Sequence, residues 1–474
     1  MTKRIKTLVI TFGVLVLLAG GYIASTLWNE RRIDALLTDF PGQRLGNLDS
    51  SNLVKIEVND MVLERKNGIW ELVSLEGRSP PEWIELDQNQ IISLTWTLAS
   101  VWTEQTVDEY PQDLSVYGLD DPYSRIIVTD SYGTRIEYIL GDMTPSRTAF
   151  FMMKAGDPQV HTVSIHAVRN MNFGLDRIRQ RSLFPVFAPH NLTRLQIESP
   201  QTQMEIIARP ETVPSHLITS FSTHLITSPF AVKRGVNGEA LNTMITPLRR
   251  LMVADFIDDS PSSLVPFGLD NPARIFIETR NASIELLIGN CVNLNPFYRF
   301  GCCGLNHEMR YAKISNKPGV FTIAGLEPIL NIRPFALMDR FALFVNIDQA
   351  ENLTISGGER FLSADIQGTR DDTVFYLNGK RAEPDSFRRF YHAVAGLIID
   401  AERPGPPGTA EQGGAISIEY RLNNPSGERV SITLVPFNRD FYELRQEGIP
   451  EFLVSRNQVR RIFETANAVT EYIP

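Results

Sequence analysis

Two stretches of this 474-residue chain carry residues whose types could do chemistry. The first is a hexapeptide of the form aromatic-Gly-Leu-Asp-X-Pro that occurs twice, as YGLDDP at 117–122 and FGLDNP at 267–272. If the repeat were a pair of active sites, Asp120 and Asp270 would be its acids or metal ligands. General acid–base work needs a second titrating group within hydrogen-bond reach. Here no histidine or second carboxylate sits at a supporting spacing, apart from Asp121 beside the first copy. The second stretch is CVNLNPFYRFGCCGLNH at 291–307, which holds all three cysteines of the chain. By count, Cys291, Cys302, Cys303 and His307 make a zinc-type donor set. Their spacing is not that of a metal knuckle, because the adjacent Cys302 and Cys303 point apart in extended chain. In an extracytoplasmic body Cys291 would bridge to Cys302 or to Cys303, leaving one thiol over. In a reducing compartment all three would be thiols.

Other chemistry is missing at the motif level. There is no G-x-x-x-x-G-K-[ST] phosphate loop, no H-E-x-x-H and no G-x-S-x-G. The seven histidines are scattered, and His161 and His166 are five residues apart along a strand-like run, which puts them on opposite faces. The sequence therefore assigns no catalytic, cofactor-binding or metal residue, and the expectation is a protein that is not an enzyme.

The hexapeptide has a simpler physical reading. Gly118 and Gly268 can take φ > 0 without a Cβ clash. Leu119 and Leu269 are natural core plugs, and Asp120 and Asp270 favour turns by accepting nearby backbone N–H groups. Pro122 and Pro272 fix their own φ and push the preceding residue into extended geometry. The motif reads as a turn that leads into a strand.

The elements around it repeat as well. IISLTWTLASVW at 91–102 places Ile91, Leu94, Leu98 and Val101 on one helical face, and a shift of 150 residues gives Leu241, Met244, Leu248 and Leu251. Asp87 and Asn237 precede the two helices as N-caps. Pro247 should kink the second helix or delay its start. Each hexapeptide is followed by strand-turn-strand patterns closing in ILG at 139–141 and LIG at 287–289. A fainter third copy has Phe387, Phe390, Val394 and Leu397 on its helix face, then AISIEYRL and RVSITLV as a strand pair, and no hexapeptide. The expected fold is α+β: three related units over 45–187, 188–344 and 345–474, each mainly antiparallel strands with one packed amphipathic helix.

The N-terminus sets the placement. Residues 8–27, from Leu8 to Leu27, carry no charge, follow Lys3, Arg4 and Lys6, and precede Trp28. Twenty helical residues at ~1.5 Å each span a bilayer core of ~30 Å. The expectation is an uncleaved single-pass anchor within residues 1–40, with the body outside the cytoplasmic membrane. A cleaved signal peptide is the rival, weakened by the poor small-residue triplet Ala24-Ser25-Thr26. No second apolar run of spanning length follows, so the chain is no channel by itself. A net charge of −9 opposes a general nucleic-acid binder, which needs a basic field.

The combination of an apolar anchor, NGIWEL at 67–72, YGLDDP, ILGD at 139–142 and GLDRIRQRSLF at 174–184, continued by FGLDNP, LLIGN and NIRPFALMDRFALF, resembles the bacterial family known as domain of unknown function 4340. The resemblance covers most of 45–345. It implies a membrane-anchored bacterial envelope protein of no established activity, associated with ABC-type export systems like those auxiliary to gliding motility, where a separate ATPase and permease do the transport. It transfers no catalytic residue. The functional expectation is an accessory or partner-binding component of such a system. The alternatives are an envelope hydrolase acting on glycan or lipid, which would need two acids converging in a pocket, and a structural spacer.

Overall fold

A computed structural model describes residues 42–184, 187–213, 220–292, 309–358, 360–368, 372–405 and 414–473. The segment 8–27 lies outside these residues. Among them no helix is long and apolar enough to cross a membrane.

The first sheet has eight strands: β1 (Leu53–Val58), β2 (Met61–Lys66), β3 (Ile69–Leu75), β4 (Gln105–Asp108), β5 (Ser124–Asp130), β6 (Arg135–Met143), β7 (Ala149–Lys154) and β8 (Val160–Ser164). Their order is β3-β2-β1-β5-β6-β7-β8-β4, and every neighbouring pair is antiparallel. The chain makes one meander, leaves the β3 edge through the helix Gln88–Ala99, and re-enters at the opposite edge as β4. It then returns to the middle, where β5 pairs with β1, and makes a second meander. The second and third sheets repeat this order strand for strand. Each adds one two-residue strand at the outer edge, Arg234–Gly235 and Lys380–Arg381. The third unit, faint in sequence, is complete in topology.

Helix formation follows the expected logic. Gln88–Ala99 and Gly238–Arg249 lie 150 residues apart at both ends. Asp87 accepts from the Gln90 N–H and Asn237 from the Ala240 N–H, as their positions predict. Pro247 neither delays the second helix nor falls mid-helix. It sits in the last turn, where few intrahelical bonds remain to be lost. The buried stripes are Ile91, Leu94 and Leu98, then Leu241, Met244 and Leu248, then Phe387, Phe390 and Val394 on Pro384–Ala395. Each such side chain removed from water contributes about 1.5–3 kcal/mol. In the first unit the Gln88 side chain ties helix to sheet: it accepts from the Trp70 N–H at 2.8 Å and donates to the Trp70 carbonyl at 3.0 Å. This holds Trp70, which is buried, in the core. The third unit differs in carrying a second long helix, Arg456–Asn467, packed on the first.

Isolated bridges close every unit in the same way. The incoming chain pairs with the third residue after the helix (Arg44 with Trp102, Ser182 with Met252, Phe341 with Ile398). The outgoing chain pairs with the second residue before it (Leu86 with Arg179, Val236 with Met338, Ala382 with Glu471). By internal contacts the chain divides between Arg181 and Ser182. The first sheet has a core of its own, and the second and third share one.

The repeated hexapeptide packs into a lock. A short 3-10 turn ends at Gly118 with φ 63° and at Gly268 with φ 66°. The Gly118 N–H donates to the Ser115 carbonyl and the Leu119 N–H to the Leu114 carbonyl, and Gly268 and Leu269 repeat the pattern onto Val265 and Leu264. Leu119 and Leu269 are buried beneath, and the rings Tyr117–Phe151 and Phe267–Tyr311 meet at 5.1 Å and 67° in both copies. The strand below must also be glycine at one point. A Cβ on Gly141 would lie 2.2 Å from the Tyr117 carbonyl oxygen, and one on Gly289 would lie 2.1 Å from that of Phe267. The hexapeptide and the closing glycine of ILGD or LLIGN are thus two halves of one contact.

Two buried histidines sit in the sheets. His161 on β8 shares a hydrogen bond through Nδ1 with the Thr106 hydroxyl, and His224 meets the Leu192 carbonyl through Nε2 at 3.0 Å. Burial lowers both below the ordinary value of 6.5, opposed at His161 by Asp157 and at His224 by its backbone bond.

Two outcomes follow. Gly141→Ala and Gly289→Ala drive a methyl group into a backbone carbonyl and lower stability by about 2 kcal/mol or more, whereas Asp120→Asn and Asp270→Asn stay within about 0.5 kcal/mol; urea unfolding of the four variants separates them. Lowered histidine pKa values mean that the folded state binds fewer protons than the unfolded one below 6.5. Their contribution is complete above 6.5 and is lost as pH falls through the lowered values, so the melting midpoint drops as the pH is taken below 6.5. His161→Leu, measured over the same series, flattens that drop.

Candidate functional site

The residues singled out by type in the sequence fall in separate elements where they are described. Asp120 and Asp270 are exposed at the tips of their turns, one in each half of the chain. Pro122 and Pro272 follow them into the next strands. Cys291 ends the strand Ser283–Cys291 at a half-exposed position, while Cys302, Cys303 and His307 lie outside the described residues. Among the described residues no group of three or more His, Cys, Asp or Glu could hold a metal ion. The buried carboxylates there are Asp130, which accepts the Tyr132 and Thr134 N–H groups in a hairpin turn, and Glu443. Both oxygens of Glu443 are taken, by Arg403 at 2.5 Å and Arg445 at 2.8 Å. These acids tie the structure together.

A different residue is buried without such satisfaction. Arg234 lies in the two-residue edge strand of the second sheet, where it pairs with Ile226. The approach to it is held against the third sheet: the Ala231 and Val232 N–H groups donate to the Glu451 carboxylate, and the Phe230 ring meets Phe452 at 5.1 Å. These contacts carry the Arg234 side chain inward until only 3% of the residue is exposed. Its Nη1 donates to Oε1 of Gln446, and its guanidinium lies 4.5 Å from the centre of the Phe452 ring. Its Nε and Nη2 are buried and have no hydrogen-bond partner. Desolvation pushes the group down to about 10, with Glu451 and Glu447 opposing, so the side chain remains a cation at neutral pH. Leaving a buried charge incompletely paired carries a penalty on the order of several kcal/mol.

Arg234 and Gln446 line a pocket of about 80 Å³. Its other walls include Ser220, Gly235, Asp339 and the rings of Phe221, Phe341 and Phe344. Phe221 is 71% exposed and Phe341 42%, and both rings lean on Phe344, at centroid distances of 5.7 and 5.2 Å. Asp339 is fixed from both sides: its N–H donates to the Gly235 carbonyl at 2.7 Å, and its Oδ2 accepts from the Ser222 hydroxyl at 3.4 Å. Gly235 allows this close approach, since a Cβ there would lie 2.4 Å from Ser222 Oγ. The result is a cation, a carboxylate and the Ser220 hydroxyl group around a small space with an aromatic rim. A second, open groove of about 640 Å³ runs along Gly238–Arg249, walled by Met244, Pro247, Ile329, Ile332 and Leu337. Glu239 is its one carboxylate, as Asp339 is that of the pocket.

Sequence reasoning missed Arg234. The one available signal was the repeat itself: a shift of 150 residues sets Arg234 against Ile84, a charged residue in place of an apolar one.

No curated protein and no solved structure matches the chain. A family model does: residues 70–272, from the buried Trp70 of the first sheet to Pro272 of the second hexapeptide, match the family described as domain of unknown function (DUF4340).

Proposed function

We propose that this protein is a non-enzymatic, single-pass envelope protein whose repeated α+β body binds a partner or an exported substrate beside an ABC-type transporter. The observation that carries the reading is the Arg234 pocket. It offers a fixed, buried cation and an exposed aromatic rim, features suited to holding a ligand group, while its single carboxylate is hydrogen-bonded in place. Glycosidic chemistry calls for two acids about 5–10 Å apart, and neither the pocket nor the groove brings two together. Exposed aromatic side chains beside a polar recess are typical anchors of protein interfaces. The apolar segment 8–27 supports a membrane tether, and the match over 70–272 supports the family resemblance from which the transporter association is drawn.

The test is extraction of the full chain in a mild detergent from its own host. Co-purification of a permease and an ATPase in fixed ratio is expected. Recovery of the chain alone under several mild conditions would sink the proposal.

A further inference from the structure

We infer that the Arg234 pocket binds the C-terminal carboxylate of a peptide whose last side chain is apolar. The inference rests on reading the body as a binding protein and names the chemistry of what it binds. A guanidinium presents Nε–H and one Nη2–H side by side, in a spacing that matches the two oxygens of one carboxylate. At Arg234 that edge is the one without a hydrogen-bond partner, because Nη1 is already occupied by Gln446. The site therefore lacks one planar, bidentate acceptor.

Charge narrows the ligand further. Among the described residues Arg234 is the only cationic one in the lining, Asp339 stands in the same wall, and Glu447 and Glu451 lie close enough to act on the guanidinium. One positive charge among these acids suits a monoanion and disfavours a phosphate dianion or a polyanion. Asp339 accepts from the Ser222 hydroxyl and the Phe341 N–H and keeps acceptor capacity for a donor on the ligand. A peptide end supplies both groups at a fixed separation, with the carboxylate and the last amide N–H on either side of one α-carbon. The apolar walls, Phe341 and Phe344 with Leu343, suit the last side chain. A space of about 80 Å³ is small, so the body of the ligand must stay outside, along the exposed Phe221. A chain end fits this better than an enclosed metabolite. The end could belong to a partner protein or to an exported peptide, which share this chemistry.

The experiment uses the full chain in detergent micelles and three fluorescein-labelled hexapeptides ending in Ala, Leu or Phe, each with a free carboxylate and as the C-terminal amide. Anisotropy should show saturable binding of at least one acid and a loss of roughly tenfold or more for its amide. Arg234→Met should abolish the binding, and Arg234→Lys should weaken it strongly because a point charge cannot make the bidentate pair. Acetate should displace the peptide at concentrations where inorganic phosphate does not. The melting midpoint of Arg234→Met should equal or exceed that of the parent, since a buried, half-paired charge has been removed. The inference is overturned if acids and amides bind alike, if no acid binds, or if Arg234→Met binds peptide normally and melts lower, which is the mark of a structural arginine. Transporter co-purification is read separately. Its persistence without peptide binding overturns this inference alone, and peptide binding without it overturns the transporter reading alone.

Discussion

Everything in this fold depends on covering one face of a wide antiparallel sheet with a twelve-residue helix, joined in the third unit by a second. A twelve-residue helix has a single apolar stripe, and the sheet beneath it has eight or nine strands. Twelve residues span only about 18 Å, against about 34 Å for eight strands, so the chain crosses from one edge of the sheet to the other through the helix together with the segments on either side of it. That route dictates the topology: the chain must reappear at the far edge and then return to the centre, where β5 meets β1. The central pairing is therefore long-range, whereas the hairpins of the first meander are local. Gln88 fixes the start of the crossing by completing the hydrogen bonds of Trp70 on the edge strand.

Where the three units differ, the differences lie in what surrounds that frame. The first sheet closes on a core of its own, whereas the second and third share one. In the shared body the loop before the second helix is pulled against the third sheet by Glu451 and Phe452, and the residue it buries there is an arginine. Sequences that fold well satisfy local and global demands together, and departures concentrate where function is held. A buried guanidinium with two idle donors is such a departure.

Much of the frame was legible because its signals are local. Helix periodicity, the caps Asp87 and Asn237, the turn chemistry of Gly118 and Gly268 and the antiparallel strand pairs all rest on residues within a few positions of one another. Pro247 misled because the apolar stripe does not show where a helix ends. The partnership of Gly118 with the strand carrying Gly141 was hidden because it joins two motifs that read as separate punctuation. The third unit looked degraded because its strands keep their pairing while their side chains have changed. The Arg234 site was out of reach for a stronger reason: its partners Gln446 and Phe452 lie more than 200 positions along the chain, and no local pattern encodes that meeting.

The bridges at the two flanks of each helix carry an evolutionary consequence. A unit whose incoming and outgoing strands are both sewn to its own helix is a complete cassette, with its seams inside it. From Met338, which closes the second unit, to Phe341, which opens the third, the chain has only Asp339 and Arg340. Duplication could thus add a cassette without inventing a linker, and chains of this kind should differ in length by whole steps of about 150 residues, the offset between the first two helices. The seam also became useful material, since Asp339, one of the two joining residues, is now a wall of the Arg234 pocket.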